Sequence, residues 1–250
     1  MTRTWVFLRG LARHKEHWGL FSTRIQESFP GDRFFFEDLS GNGEWHSKDS
    51  FTNHRLNVEF LRQNLREKEA LTAGPVWLVG LSQGGMVSAL WASLYPDEIQ
   101  HLWLVNSSSR NFSQLHQRFS FQQIPLLVEN LFLKKTNFEI EIGLLEATTN
   151  LLSREQKIDW AKKFSSFPMT TRKNILRQLF ASLQFSFPEN LKTTKTTLVY
   201  SKADRLVAPE CSLDIAKNFG FETWSHPTAG HDLFLDDPDW FISNLKQNLS

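Results

Sequence analysis

The chain has 250 residues, with 28 basic against 27 acidic side chains. That balance gives no bulk-charge sign of a nucleic-acid or membrane-surface protein, and the length suits one domain with a large core, or one domain plus a lid. A single cysteine, Cys211, excludes an internal disulfide and fits a reducing compartment. No stretch nears the ~20 apolar residues of a membrane span, and Thr4 to Leu8 reads as a strand rather than the apolar core of a signal peptide, so a cytoplasmic location is expected. Nine Trp and 22 Phe imply a bulky core, with some rings left to line an apolar pocket.

Thr4-Trp5-Val6-Phe7-Leu8 is the first strand, and Arg9-Gly10-Leu11 leaves its end. The following loop carries His14 and His17. Their His-x-x-His spacing lacks a third ligand and the H-E-x-x-H form, so a solvated loop or helix start is expected, and no metal. Leu20, Phe21, Ile25 and Phe29 have helical spacing, ended by Pro30-Gly31-Asp32. Arg33 to Leu39 is the second strand. Gly41-Asn42-Gly43 turns the chain, with neither a Rossmann nor a Walker spacing. Ser50 to Lys68 reads as an amphipathic helix with Val58, Leu61 and Leu65 on one side, and Ala73-Gly74-Pro75 separates it from the next strand.

Val76 to Val79 has the length and apolarity of a strand buried on both faces. It runs into Gly80-Leu81-Ser82-Gln83-Gly84, and Met86 to Tyr95 then reads as a helix stopped by Pro96. A strand, a G-x-S-x-G turn and a helix form a nucleophile elbow: the reversal strains the serine backbone and lifts its hydroxyl to the strand's C-terminal edge. His101 to Asn106 is the next strand, and the hydroxyls of Ser107-Ser108-Ser109 leave it at the same edge. Residues 107 to 190 then interrupt the strand–helix alternation with helix-like pieces only. Leu126-Leu127-Val128 leads into Leu131-Phe132, and Phe138 to Leu145 is apolar-periodic. Ser153 and Gln156 form a capping box for a helix through Phe164. Thr171 opens another, with Ile175, Leu176, Leu179, Phe180 and Leu183 on one face. Basic side chains outnumber acidic ones across this segment, which suits a solvated surface or a docking face for an acidic acyl-carrier protein.

Thr196 to Ser201 is again a strand, followed by the loop Ala203-Asp204-Arg205-Leu206-Val207-Ala208-Pro209 and a helix from Cys211 to Asn218. Phe221 to His226 is the sixth strand, Ala229-Gly230-His231-Asp232 comes after it, and Pro238 to Leu249 is a terminal helix. An acid just past one strand and a histidine past the next give the chain order Ser82, Asp204, His231. Asp232, Asp236 and Asp237 are nearer His231 in sequence but fall toward a helix start, and His226 lacks the Gly-His setting.

With the elbow, the Asp204 loop, the Gly230-His231 turn and the segment Glu37-Asp38-Leu39-Ser40-Gly41-Asn42-Gly43, the sequence resembles the α/β-hydrolase family over nearly its whole length. The motif set is similar to small carboxylesterases that cleave pimeloyl-carrier methyl esters and to proline iminopeptidases. The resemblance implies an α/β fold of about six parallel strands flanked by helices. Its core would be residues 1–106 and 191–250, with 107–190 a helical lid inserted before the last two strands. It also implies a catalytic triad of Ser82, Asp204 and His231, an oxyanion hole from the backbone N–H groups of Leu11 and Gln83, and no cofactor. Arg9 departs from the family's usual histidine; it either pairs with an acid near the sheet or binds an anionic substrate group. The expected activity is cleavage of a small-molecule ester of small or medium acyl length, by a monomer or homodimer. Alternatives are a thioesterase or C–C bond hydrolase with the same residues, or a non-catalytic binding protein on this fold.

Overall fold

The computed structural model describes residues 2–72, 74–123, 125, 129 and 135–249. The apolar runs become six parallel strands: β1 (Thr4–Leu8), β2 (Arg33–Glu37), β3 (Val76–Leu81), β4 (Ile99–Val105), β5 (Thr196–Ser201) and β6 (Glu222–His226). Their spatial order is β2-β1-β3-β4-β5-β6. The chain therefore leaves β1 toward one edge and returns to build β3 on its other side. This reversal opens a crevice beyond the C-terminal ends of β1 and β3, where ligands bind in open α/β sheets. In register, Leu8 lies beside Gly80, so the residues just past both strands meet there.

Side chains alternate across the sheet and each face is covered. Val6, Leu8, Leu78, Leu104 and Leu198 pack on one side with Val58, Leu61 and Leu65 of α2 (His54–Glu67) and with α3 (Gln83–Leu94). Trp5, Phe7, Val79, Trp103 and Val105 face the other side, against α1 (Phe21–Ser28) and Phe241 and Leu245 near the C-terminus. Trp5 stacks on Trp103 at 5.5 Å and Phe7 on Phe36 at 4.8 Å. Many of the aromatic residues are thus spent on this second core layer rather than on a pocket.

Between β4 and β5 the described residues form helices and turns but no strand: α4 (Leu115–Arg118), α5 (Asn137–Thr148), α6 (Arg154–Phe164) and α7 (Arg172–Gln184). The helix-like pieces Leu126-Leu127-Val128 and Leu131-Phe132 lie outside the described residues. After β5 come α8 (Glu210–Phe219), α9 (Leu233–Asp236) and α10 (Pro238–Leu249). Among the described residues no helix is long and apolar enough to cross a membrane.

One element departs from the sequence reading for a clear reason, and a second has an orientation that the sequence left open. The helix expected from Ser50 starts at His54, because the Asn53 side chain accepts the Arg55 N–H and caps it there. On α7 the apolar stripe is not the buried face. Asn174, Gln178 and Ala181 are buried while Leu176 and Phe180 are about half exposed, at 52% and 54%. The surface beneath α7 is the polar loop around Asn42 and Ser50, which needs amide partners more than methyl groups. Gln178 donates to Asn42 and to Ser50 Oγ, and Asn174 accepts the Ser50 N–H at 2.8 Å.

Candidate active site

Ser82 sits between β3 and α3 with φ 56° and ψ −118°. Such a conformation costs a non-glycine residue roughly 1–3 kcal/mol and persists only where neighbours enforce it. Here Ser82 N–H donates to Val105 O at 2.8 Å and the Ser107 hydroxyl donates to Ser82 O at 3.0 Å. The elbow glycines are steric necessities. A Cβ on Gly84 would lie 2.3 Å from Leu8 O, and one on Gly80 would lie 2.5 Å from Gly84 O. Only without them can α3 begin immediately after the serine and approach the end of β1.

Past β5, Asp204 accepts the N–H groups of Leu206 and Val207 through one oxygen, at 2.8 and 3.0 Å. Its other oxygen lies 2.7 Å from His231 Nδ1. A carboxylate at that distance requires the proton on Nδ1, which leaves Nε2 with its lone pair free to accept a proton. Asn106, at the end of β4, fixes the histidine loop: its amide donates to His231 O at 2.8 Å while its oxygen accepts Ser201 N–H. The rival acids are occupied elsewhere. Asp236 binds the N–H groups of Gly230, Asn150 and Leu151, and Asp237 faces His226.

Ser82 and His231 open onto one cavity of about 180 Å³. A single water needs only ~10–15 Å³ of such space, so there is room for an acyl chain. Its walls are mainly apolar, including Leu81, Met86, Leu144, Leu179, Leu206 and Val207. Leu11 and Gln83 line the same cavity, and Gln83 begins α3, where helix N–H groups lack internal partners. The Gln83 side chain is held by Gln178 O and Ser182 Oγ of α7 at 3.0 and 2.9 Å, and Gln178 Oε1 accepts the Ala12 N–H. The inserted helix α7 therefore braces both backbone segments that face Ser82. Among the three serines after β4, Ser108 borders the cavity.

Arg9 takes the first of its two expected roles. Its guanidinium is 2% exposed, forms a two-pronged pair with Asp232, and stacks 4.9 Å over Trp18. Burial alone would raise the Asp232 carboxyl, but the Arg9 charge and hydrogen bond hold it below the usual carboxylate range. Asp232, by sequence only a rival to Asp204, thus ties the residue after His231 to the residue before Gly10-Leu11.

His14 and His17 correct the expectation of a solvated loop, being 3% and 1% exposed. Arg13 reaches Glu141 of α5 at 2.5 Å, and His17 Nε2 lies 2.9 Å from Arg13 and 3.4 Å from Glu141. Burial, aided by the Arg13 charge, pushes His17 down to about 4, and burial beside His17 and Arg13 pushes His14 down to about 2. Both rings are thus neutral near pH 7, leaving Arg13 and Glu141 as the charged pair. Partners this far apart in sequence leave no local signature, so the pairing of Arg13 with Glu141 is illegible in the sequence. So is the placement of Arg118, one of the many cations of the inserted segment yet buried at the cavity wall. Cys211 is buried, and desolvation pushes its thiol up to about 11, which suits packing rather than attack.

The six-stranded parallel sheet and the elbow between β3 and α3 define an α/β-hydrolase architecture. The alpha/beta hydrolase fold family matches residues 27–238, and the chain belongs to it. Among its relatives is a Haemophilus influenzae protein with the provisional name 2-succinyl-6-hydroxy-2,4-cyclohexadiene-1-carboxylate synthase. It is 24% identical, with 96% of this chain and 95% of that protein covered. Lipase 1 of Psychrobacter immobilis is 26% identical over 50% of this chain and 39% of the lipase. Among solved structures, an esterase from Exiguobacterium antarcticum superposes with a TM-score of 0.79 at 18% identity, covering 100% of this chain and 93% of the esterase.

Proposed function

We propose that the chain is a serine hydrolase cleaving a carboxylic ester of small or medium acyl length. The reading is carried by one observation: the imidazole that lies 2.7 Å from Asp204 shares an apolar cavity with the strained Ser82. Ser82 Oγ attacks the ester carbonyl while His231 Nε2 takes its proton. His231 then returns that proton to the leaving alcohol, and Asp204 balances the imidazolium that forms between the two events. Leu11 and Gln83 N–H groups hold the developing oxyanion, each contributing on the order of 10²–10³ in rate. Water, activated by the same histidine, releases the acid from the acyl-enzyme. The inserted helices act as a lid that keeps bulk water from this step.

A fluorophosphonate probe tests the reading. It labels Ser82 in the wild type, Ser82→Ala abolishes both labelling and hydrolysis of short 4-nitrophenyl esters, and a folded wild type that stays unlabelled refutes it. A second reading, non-hydrolytic chemistry at the same residues, is favoured by the full-length match to the Haemophilus protein with a synthase name. It requires labelled Ser82 without turnover of any ester, thioester or amide.

A further inference from the structure

Three arginines are among the residues that line the cavity beside Ser82: Arg9, Arg13 and Arg118. Two are neutralised in place, Arg9 by Asp232 and Arg13 by Glu141. Arg118, at the end of α4, is not. It is 9% exposed, and no Asp or Glu among the described residues comes within ion-pair distance. The residues outside that set carry no acidic side chain. The titratable groups acting on it are Cys211, whose buried thiol is uncharged near pH 7, and Arg110, a second cation.

What Arg118 does possess is a mount. Nη1 donates to Leu183 O at 3.1 Å and Nη2 to Ser182 O at 2.5 Å, both in the last turn of α7, while Nε has no partner. Helix-end carbonyls carry only partial negative charge. They orient the guanidinium and leave most of its charge unbalanced in an apolar wall formed by Phe119, Leu179, Leu183 and Val207. Burying an unpaired cation is costly, and burial correspondingly pulls the Arg118 pKa down. A capping role alone does not require a full positive charge, because an amide donates to the same carbonyls. Ser108 is also a lining residue of the cavity.

We propose that Arg118 is an anion subsite, and that the ester cleaved at Ser82 carries a carboxylate separated from the scissile carbonyl by a short apolar spacer. This rests on the esterase reading for the reaction but not for the binding. One unbalanced positive charge calls for a monoanion, since a dianionic phosphate or phosphonate would exchange one excess charge for another. Arginine suits the task because its planar donors match a carboxylate.

The test uses three methyl esters of similar shape: monomethyl succinate, the neutral methyl levulinate, and methyl 3-phosphonopropionate. Calorimetry with Ser82→Ala reads binding without turnover. Monomethyl succinate binds at least about tenfold more tightly than methyl levulinate, as expected for a charge-assisted hydrogen bond. In turnover, the wild-type kcat/KM ratio of succinate to levulinate ester falls by about 10–100-fold in Arg118→Gln. Arg118→Lys restores part of it. Equal binding of the charged and neutral esters, or tighter binding of the phosphonate, overturns the proposal. So does an Arg118→Gln variant that loses both esters in proportion, which marks a cap and nothing more. Arg118-dependent binding of monomethyl succinate with no hydrolysis of any ester sustains the subsite and sinks the esterase reading instead. The binding comparison in Ser82→Ala decides the matter even where Arg118 variants do not fold.

Discussion

Cutting the Arg9–Asp232 pair from either side should destabilise the fold far more than removing it altogether. Both residues are nearly inaccessible, at 2% and 3%, and they meet through two hydrogen bonds, one of 3.0 Å. In Arg9→Met the Asp232 carboxylate stays buried without its counter-charge; in Asp232→Asn the guanidinium does. Each single substitution is expected to cost about 3–5 kcal/mol, the usual penalty for stranding a buried charge. For a chain of this size that is a fall in Tm of roughly 6–20 °C. The double variant buries no net charge, and it should recover about 2–3 kcal/mol relative to the sum of the singles. Urea unfolding of the four proteins measures the cycle. Additivity within about 0.5 kcal/mol refutes the reasoning, because that is the behaviour of sites that do not interact. The pair also joins the turn holding Leu11 to the loop holding His231. The single variants that remain folded should therefore lose kcat more than they raise KM.

Three further outcomes are expected from local geometry. Gly84→Ala places a Cβ 2.3 Å from Leu8 O, backbone against backbone, so it should abolish soluble expression or lower Tm by more than about ten degrees at roughly 2–4 °C per kcal/mol; thermal melting near the wild type excludes the close approach. Ser82→Gly removes the positive-φ strain at the elbow, and should raise stability by about 1–2 kcal/mol while abolishing ester turnover; urea midpoints and one ester assay read both. His54, 4% exposed, is pushed down by burial from 6.5 to about 4. Below pH 6.5 the unfolded chain takes up a proton that the folded chain refuses, so stability falls as pH drops from about 6.5 to about 4, by about 3 kcal/mol in all. His17 and His101, also lowered, add to the same slope. His54→Leu should therefore flatten, but not abolish, the loss measured by urea unfolding between pH 7 and pH 4.

The sheet was legible because its central strands β1, β3, β4 and β5 are largely buried on both faces, so their apolar runs stand out without any knowledge of their partners. The elbow and the acid and histidine loops were legible for a related reason: each is a short motif whose chemistry depends on a strand end beside it. What could not be read is whatever depends on pairing across the chain. Arg9 could be assigned neither to an acid nor to a substrate, because its partner Asp232 lies far away at the other end of the chain. His14 and His17 looked solvated because polar side chains usually are. Only the arrival of Arg13 and Glu141 turns that loop inward. On α7, periodicity picked out the apolar stripe but not which way it faces, because that depends on the polar loop on which the helix rests.

The polar seam beneath α7 bears on how the site is assembled. A helix laid on the core by methyl groups can slide with little cost, because apolar contact is non-directional. The α7 seam instead depends on amides with fixed donors and acceptors: Gln178 reaches Ala12, Asn42 and Ser50, and Asn174 reaches Ser50 and Lys48. These bonds fix α7 in register against the turn that carries Leu11, and through Gln83 against the start of α3. The same helix presents the carbonyls that mount Arg118. One inserted helix thus sets the separation between the backbone segments of Leu11 and Gln83, the oxyanion donors proposed above, and the unbalanced guanidinium. In an ester carrying both a carbonyl and a carboxylate, that separation would fix the length of the spacer between them.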